Sequence, residues 1–235
     1  MNCWMDLHLH TTWSDGECDP AGVVKHAISL GLDTVGFADH WGVEPYGMRS
    51  VADLQGYLAE LTLLRQKVAP QIRVLSGVEL PARRALLPIA AVDWDALARL
   101  DYLLLEDLEH LSDGEKIHAA VKGLDGLPYA KGLAHCNLFL LAERLGLNED
   151  GLACWMARAG LFWETNAGVQ HAWFDDVIDF ERKRPARVVA LFDALNRHGV
   201  PVTAGSDAHT LSDYPLGRLK AANEIIAKHL QVKHF

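Results

Sequence analysis

Short apolar runs that each stop at a histidine, an aspartate or a glutamate recur along this chain, with segments of helical period between them. Residues 4–9 read as a first strand, and residues 20–30 as a helix opened by Asp19-Pro20 and closed by Gly31. Further strands are expected at Thr34–Ala38, Ile72–Leu80, Tyr102–Leu105, 130–134, Leu161–Thr165 and Val200–Gly205. Helices are expected near 51–68, 93–100, 114–122, 138–145, 149–159, 185–198 and 216–230. Parallel strands joined by outer helices account for this alternation of about seven units. A closed or nearly closed α/β barrel is preferred to an open sheet, because polar residues end nearly all the strands, early and late. In a barrel these ends meet at one mouth, whereas the outer strands of an open sheet would hold them far apart.

With 235 residues, half of them apolar, the chain can bury a substantial core as one α/β unit. No Gly-, Ser- or Pro-rich linker interrupts it, so residues 1–235 are expected to form a single domain. The net charge of -9 argues against a general binder of nucleic acid or membrane surfaces. Part of that acidity is accounted for if cations are bound, since three divalent ions would add six charges and leave -3. The four cysteines form no CxxC pair and read as reduced thiols. No cationic leader precedes an apolar stretch, and no apolar run approaches the roughly 18 residues of a membrane span. A cytoplasmic location is the expectation.

The first strand places Asp6, His8 and His10 on one face, with Leu7 and Leu9 on the other. Two imidazoles and a carboxylate are costly to bury unless something binds them. Asp15 follows in the turn Ser14-Asp15-Gly16. The second strand ends in Ala38-Asp39-His40, the third in Gly77-Val78-Glu79, the fifth in Ala134-His135 and the last in Ser206-Asp207-Ala208-His209. Each taken singly has an ordinary explanation as turn or surface chemistry, but five such strand ends together do not. Imidazole with carboxylate, and no thiolate in the set, suits zinc, manganese or iron.

These motifs, in this order from Asp6 to His209, resemble those of the PHP family, named for polymerase and histidinol phosphatase. The resemblance implies a distorted (β/α)7 barrel, a centre of two or three divalent metal ions at the strand C-termini, and phosphoesterase activity. One ion would take His8, His10, Glu79 and Asp207, and a second Asp15, His40 and His209. A third would share Glu79 and use His135 with one further histidine. Here the sequence departs from the family pattern: the aligned position is Leu108, and His110 stands two residues later. His110 is taken as the ligand, with Glu106 or Asp107 as alternatives.

Metal ions in such a centre lower the pKa of water towards about 7 and clamp phosphoryl oxygens, so no serine or cysteine nucleophile is required. Asp207 and His209 are the candidates for protonating the leaving group. Arg83 and Arg84, just beyond the third strand, are candidates to grip the phosphate, although solvated loop arginines would look the same. Asn166, at the end of Glu164-Thr165-Asn166, and His171 are further candidates for substrate contact. His171, Trp173 and Phe174 are read as a lid or specificity wall, and Trp41 and Tyr46 as packing or stacking groups. Arg182-Lys183-Arg184 reads as a solvated basic turn.

The favoured activity is hydrolysis of a small phosphorylated substrate, histidinol phosphate or another phosphomonoester. A nuclease or nucleotide phosphodiesterase on the same centre is the nearest rival, with long nucleic acid disfavoured by the chain's acidity. A metal-dependent amidase or deaminase is opposed by the lack of a lysine at a mid-chain strand end. A regulatory PHP domain without metals would show more ligand replacements than this chain does. No feature of the sequence encodes oligomeric state.

Overall fold

A computed structural model describes residues 4–43, 45–86, 97 and 99–235. Seven strands follow one another around the sheet in chain order: β1 (Met5–Asp6), β2 (Thr34–Phe37), β3 (Arg73–Pro81), β4 (Tyr102–Glu106), β5 (Ala130–Leu133), β6 (Leu161–Asn166) and β7 (Val202–Gly205). Every neighbouring pair is parallel. Closure comes from the residues just after β1. Leu7 N–H donates to the Ala204 carbonyl at 2.9 Å, His10 N–H to Ala208 at 3.1 Å, and Asp207 N–H to His8 at 2.8 Å. The fold is therefore the expected nearly closed α/β barrel.

The first strand is shorter than the alternation predicts, for a local reason. The Asp6 carboxylate accepts the backbone N–H of His8 at 3.3 Å and that of Ser206 at 2.9 Å. The aspartate thereby takes over an amide that a ladder would otherwise use, and ties the end of β1 to the turn after β7. Tyr214 donates its hydroxyl to the other Asp6 oxygen at 2.5 Å. Asp6 is thus a joint in the barrel wall.

Most helices lie where periodicity puts them, and their ends follow cap chemistry. The helix Pro20–Ser29 opens with Asp19 accepting the Gly22 N–H at 2.7 Å and with proline in its first turn. The helix Val51–Val68 opens with a reciprocal Ser50–Asp53 capping box. It buries Leu54, Tyr57, Leu58, Leu61 and Leu64, a spacing of three and four that faces the barrel. The helix expected at 93–100 falls largely outside the described residues. Single-turn helices at Ala82–Ala85, Asp175–Ile178 and Phe180–Lys183 are absent from the sequence reading, since four residues are too few for a period to show. The basic turn at 182–184 is exposed and paired locally with Asp176, Asp179 and Glu181.

The barrel interior is packed across its diameter. Tyr102 is fully buried on β4, and its hydroxyl lies 2.8 Å from the carbonyls of Leu7 and Phe37 on the opposite wall. Gly77 makes room for that ring, because a Cβ there would stand 2.4 Å from it. Cys18, Cys136 and Cys154 are free thiols. Among the described residues no helix is long and apolar enough to cross a membrane.

Candidate metal centre

All the strand ends open onto one face, and there the polar side chains meet. His8 and His10 are buried, and their Nε2 atoms lie 3.1 Å apart. Leu7 and Leu9 point the other way into the apolar layer, as alternation requires. Glu79, at the end of β3, sits between four imidazoles. Its Oε1 is 3.3 Å from His8 Nε2 and 3.0 Å from His135 Nε2. Its Oε2 is 3.6 Å from His10 Nε2 and 3.1 Å from His40 Nδ1. Asp207 brings Oδ1 to 3.1 Å from His10 Nε2. Asp15 faces His40 Nε2 at 3.6 Å and His209 Nε2 at 3.4 Å.

Two residues of this group hold left-handed backbones that side chains other than glycine rarely adopt. Asp207 has φ +54° and His135 has φ +30°, a strain of about 1–3 kcal/mol each. Each is pinned by another member of the site. The amide of Asp207 donates to the His8 carbonyl at 2.8 Å, and that of His135 to a Glu164 carboxylate oxygen at 2.7 Å. Strain held in place in this manner fixes where the two side chains point.

The donor set suits divalent cations on its own chemistry. His8 Nδ1 is 3.0 Å from Glu164 Oε1, so the ring donates its proton there and turns the Nε2 lone pair inward. Facing it at 3.1 Å is the Nε2 of His10, and two lone pairs at that distance repel unless a cation or a proton lies between. His40 Nδ1 is buried with no hydrogen-bond partner although Glu79 stands close. Separations of 3.0–3.6 Å throughout match the spacing of about 3.0–3.5 Å between ligand atoms that share an ion at roughly 2.1 Å. Among the described residues, three groupings could each hold an ion: His8, His10 and Asp207; His10, Asp15, His40 and His209; and His135, His171 and Asp207. A fourth is formed by His40, Glu79 and Glu106.

The residues named from sequence divide accordingly. His8, His10, Asp15, His40, Glu79, His135, Asp207 and His209 come together at the mouth. His110 does not. Asp107 turns the chain sharply at φ +61° after β4, Leu108 fills the core, and His110 is left exposed on a short 3-10 turn. The last residue of β4, Glu106, faces the centre instead, 3.9 Å from His40 Nδ1. Arg83 is exposed, and Arg84 donates to the Gly42 carbonyl at 2.8 Å, bracing a loop. Asn166 is fully buried, donating to Glu164 at 2.9 Å and accepting the Gly168 N–H at 2.7 Å, so it shapes the site from behind. Phe174 is fully buried against Trp163, which anchors the loop expected to act as a lid. Trp41 packs in the core and Tyr46 is exposed.

Two supporting carboxylates stand in motifs picked out from the sequence but are given no role there. Glu164 holds His8, the His135 amide and Asn166 at once, although its period-two spacing from Asn166 on β6 marks it as inward-facing. Asp39 accepts the N–H of Thr11 and the hydroxyl of Ser14, both at 2.7 Å, and so shapes the turn that presents Asp15.

Charge is finely balanced here. Burial favours a neutral Glu79, but the neighbouring His8 and His135 outweigh it and hold the carboxyl well below its usual range. Burial likewise lifts Asp15, yet the hydrogen bond from His209 and the charges of His10 and His40 bring it down to about 2. His135 is depressed by burial but raised further by Glu79, to about 9. Burial, with the charges of Glu79 and Asp107, pushes Glu106 up to about 8.

A pH dependence follows for the metal-stripped protein. The stability that His135 contributes is fully present below about 6.5 and is lost as pH rises through about 9. Glu106 acts with the same sign, its contribution fading between about 4.5 and about 8. Chelator-treated protein is therefore expected to melt at a lower temperature at pH 9.5 than at pH 6.5. A flat or rising melting temperature across that window would contradict the burial and pairing described for these two groups.

Comparison with known proteins agrees with this geometry. The structure resembles a crystal structure of histidinol phosphate phosphatase from Lactococcus lactis subsp. lactis Il1403, complexed with zinc, L-histidinol and phosphate. The TM-score is 0.67 at 16 % identity, covering 99 % of this chain and 97 % of that one. A putative histidinol phosphatase from Listeria monocytogenes gives a TM-score of 0.54 at 15 % identity, over 89 % of this chain and 96 % of that one. These likenesses concern the fold. In sequence, the chain is 25 % identical over 224 residues to the DNA polymerase/3'-5' exonuclease PolX of Bacillus subtilis (strain 168). The match covers 88 % of this chain but 34 % of that protein, so the chain spans about a third of the curated relative's length. The family model described as PHP domain matches residues 6–145, the stretch that carries His8, His10, Asp15, His40, Glu79 and His135. By that match, and by the barrel that carries it, the chain belongs to the PHP domain family, a group of metal-dependent phosphoesterases.

Proposed function

We propose that this chain hydrolyses a small phosphomonoester at a centre of two or three divalent cations, with zinc, manganese and iron all suited to its ligands. The observation that carries the reading is Glu79, buried and ringed by His8, His10, His40 and His135 at 3.0–3.6 Å. When bound, cations of this kind supply an activated water and offset charge on the phosphoryl oxygens. His8, His10, Glu79 and Asp207 would hold one ion, and Asp15, His40 and His209 another.

Beside the centre lies a cleft of about 200 Å3 lined by Gly168, Gln170, Asp207, His209, Thr210 and Asp213, among others. A space this small accommodates a compact phosphate ester. Among the described residues its lining holds no lysine or arginine, so apart from the His209 imidazole the balancing of a phosphate's charge would fall to the cations. Asp207 is a poor source of a proton for the leaving group. Burial would raise it, but His8, His10 and His171 hold its carboxyl well below the usual range, so it stays ionised. His209 is 37 % exposed at the mouth and held above its ordinary value by Asp15. As a ligand its imidazole would be neutral, so it can donate that proton only where Asp15 and His40 hold the second ion without it.

The zinc-bound histidinol phosphate phosphatase supports a small phosphorylated amino alcohol as substrate. The likeness to PolX supports a nucleotide or oligonucleotide phosphodiesterase as the second reading. Assay of the metal-loaded protein against a panel of phosphomonoesters and cyclic and linear dinucleotides separates them. The expected result is phosphate release from monoesters at least about ten times faster, in kcat/KM, than cleavage of any dinucleotide. Preference for dinucleotides would overturn the phosphomonoester reading.

A further inference from the structure

We infer that His171, carried on the loop after β6, is a metal ligand that supplies the imidazole missing from the end of β4. The inference rests on reading the strand-end cluster as a cation site and concerns which residues complete it. His110 and Leu108 are both unavailable there, one exposed and the other in the core. The ring of His171 reaches His135, just beyond β5, from the β6 side, whereas a β4 histidine would reach it from the other flank. It stacks on His135 with centroids 4.3 Å apart and planes 12° from parallel. Its Nε2 lies 3.3 Å from Asp207 Oδ2, while His135 Nε2 lies 3.0 Å from Glu79 Oε1. One ligand atom each from His135, His171 and Asp207 falls within 4.8 Å of the other two, so one ion can reach all three.

The loop is built to hold that ring still. Ala167 N–H donates to the Gly205 carbonyl at 2.7 Å, and Arg218 Nε donates to the Ala167 carbonyl at 2.8 Å. At the far end, Phe174 N–H donates to the His171 carbonyl at 3.0 Å and the Phe174 side chain is fully buried. A flexible lid would leave its histidine free to follow substrate. This one is fixed at both flanks and mostly buried, with 22 % of its side chain exposed, as a ligand needs to be.

Metal content distinguishes this role from a substrate contact. Protein reloaded with zinc or manganese is freed of excess ion, and bound metal per chain is measured by plasma mass spectrometry. His171→Ala and His171→Gln are each expected to carry one equivalent fewer than wild type, or to bind their weakest ion at least about 100-fold less tightly. His110→Ala is expected to match wild type in both respects. The glutamine variant keeps side-chain volume in the loop, so it reports on the ligand if the alanine variant fails to fold. Unchanged metal count and affinity in the His171 variants, even with a raised KM, would overturn the inference and leave the phosphoesterase reading intact. Loss of an equivalent in His110→Ala would overturn it as well. A wild-type chain that holds less than one equivalent would instead sink the metal-dependent reading itself.

Discussion

Asp207→Asn is expected to lower kcat/KM by at least about 1,000-fold while leaving the melting temperature close to wild type. The carboxylate lies 3.1 Å from His10 Nε2, 3.6 Å from His8 Nε2 and 3.3 Å from His171 Nε2, so it borders two of the three-residue groupings that could hold an ion. An amide of the same shape loses the negative charge and therefore most of its attraction for a cation. The fold should tolerate the change. Asparagine accepts the left-handed backbone at φ +54° better than most residues, and the amide bond to the His8 carbonyl is untouched. His8→Ala should be as inactive, but less stable, because it leaves the buried Glu164 carboxylate short of a partner. Steady-state assay beside thermal denaturation checks both. Wild-type turnover in either variant would refute the assignment of these side chains to the centre.

Glu164→Ala is expected to damage metal binding and stability together, although Glu164 belongs to none of the groupings that could hold an ion. Its carboxylate is fully buried and accepts from His8 Nδ1, from the strained His135 amide and from Asn166. Removing it leaves three buried donors unsatisfied, at about 1–3 kcal/mol each. A loss of about 3 kcal/mol or more corresponds to a fall in Tm of roughly 6–12 °C for a chain of this size. Glu164→Gln keeps an acceptor for the amide but can no longer favour the His8 tautomer whose Nε2 lone pair faces inward. Metal affinity should then fall by about 10–100-fold with most of the stability retained. Gly205 lies under the same contact. A Cβ there would stand 2.0 Å from Glu164 Oε1 and 2.6 Å from His8 Cβ, so the bare backbone is what lets the carboxylate reach the imidazole. Competition with a chromophoric chelator measures the affinity. A glutamine variant that binds as tightly as wild type would show that Glu164 merely fills space.

The barrel was legible because its signals are periodic: apolar runs set the strands, caps set the helices, and polar termini marked the mouth. The candidate ligands at strand ends were legible for the same reason, since His8, His10, Glu79 and His135 each close an apolar run. What escaped depends on backbone turns that no periodicity records. Asp107 at φ +61° sends His110 outward and leaves Glu106 as the last inward group of β4. The loop at 167–174 brings His171 onto His135 through anchors at Ala167 and Phe174, contacts that no periodicity records. Arg83 and Arg84 were placed by nearness in sequence to β3. The short helix Ala82–Ala85 leaves Arg83 exposed and lets Arg84 hold the loop at Gly42, two residues beyond His40.

The claim on which everything else rests is that imidazoles and carboxylates from five strand ends are held together by cations. Metal bound per chain, measured after reloading with zinc or manganese and removal of excess ion, tests it directly. At least two equivalents are expected to remain with the protein, and Asp207→Asn should retain fewer. Less than one equivalent in the wild-type chain would contradict the account.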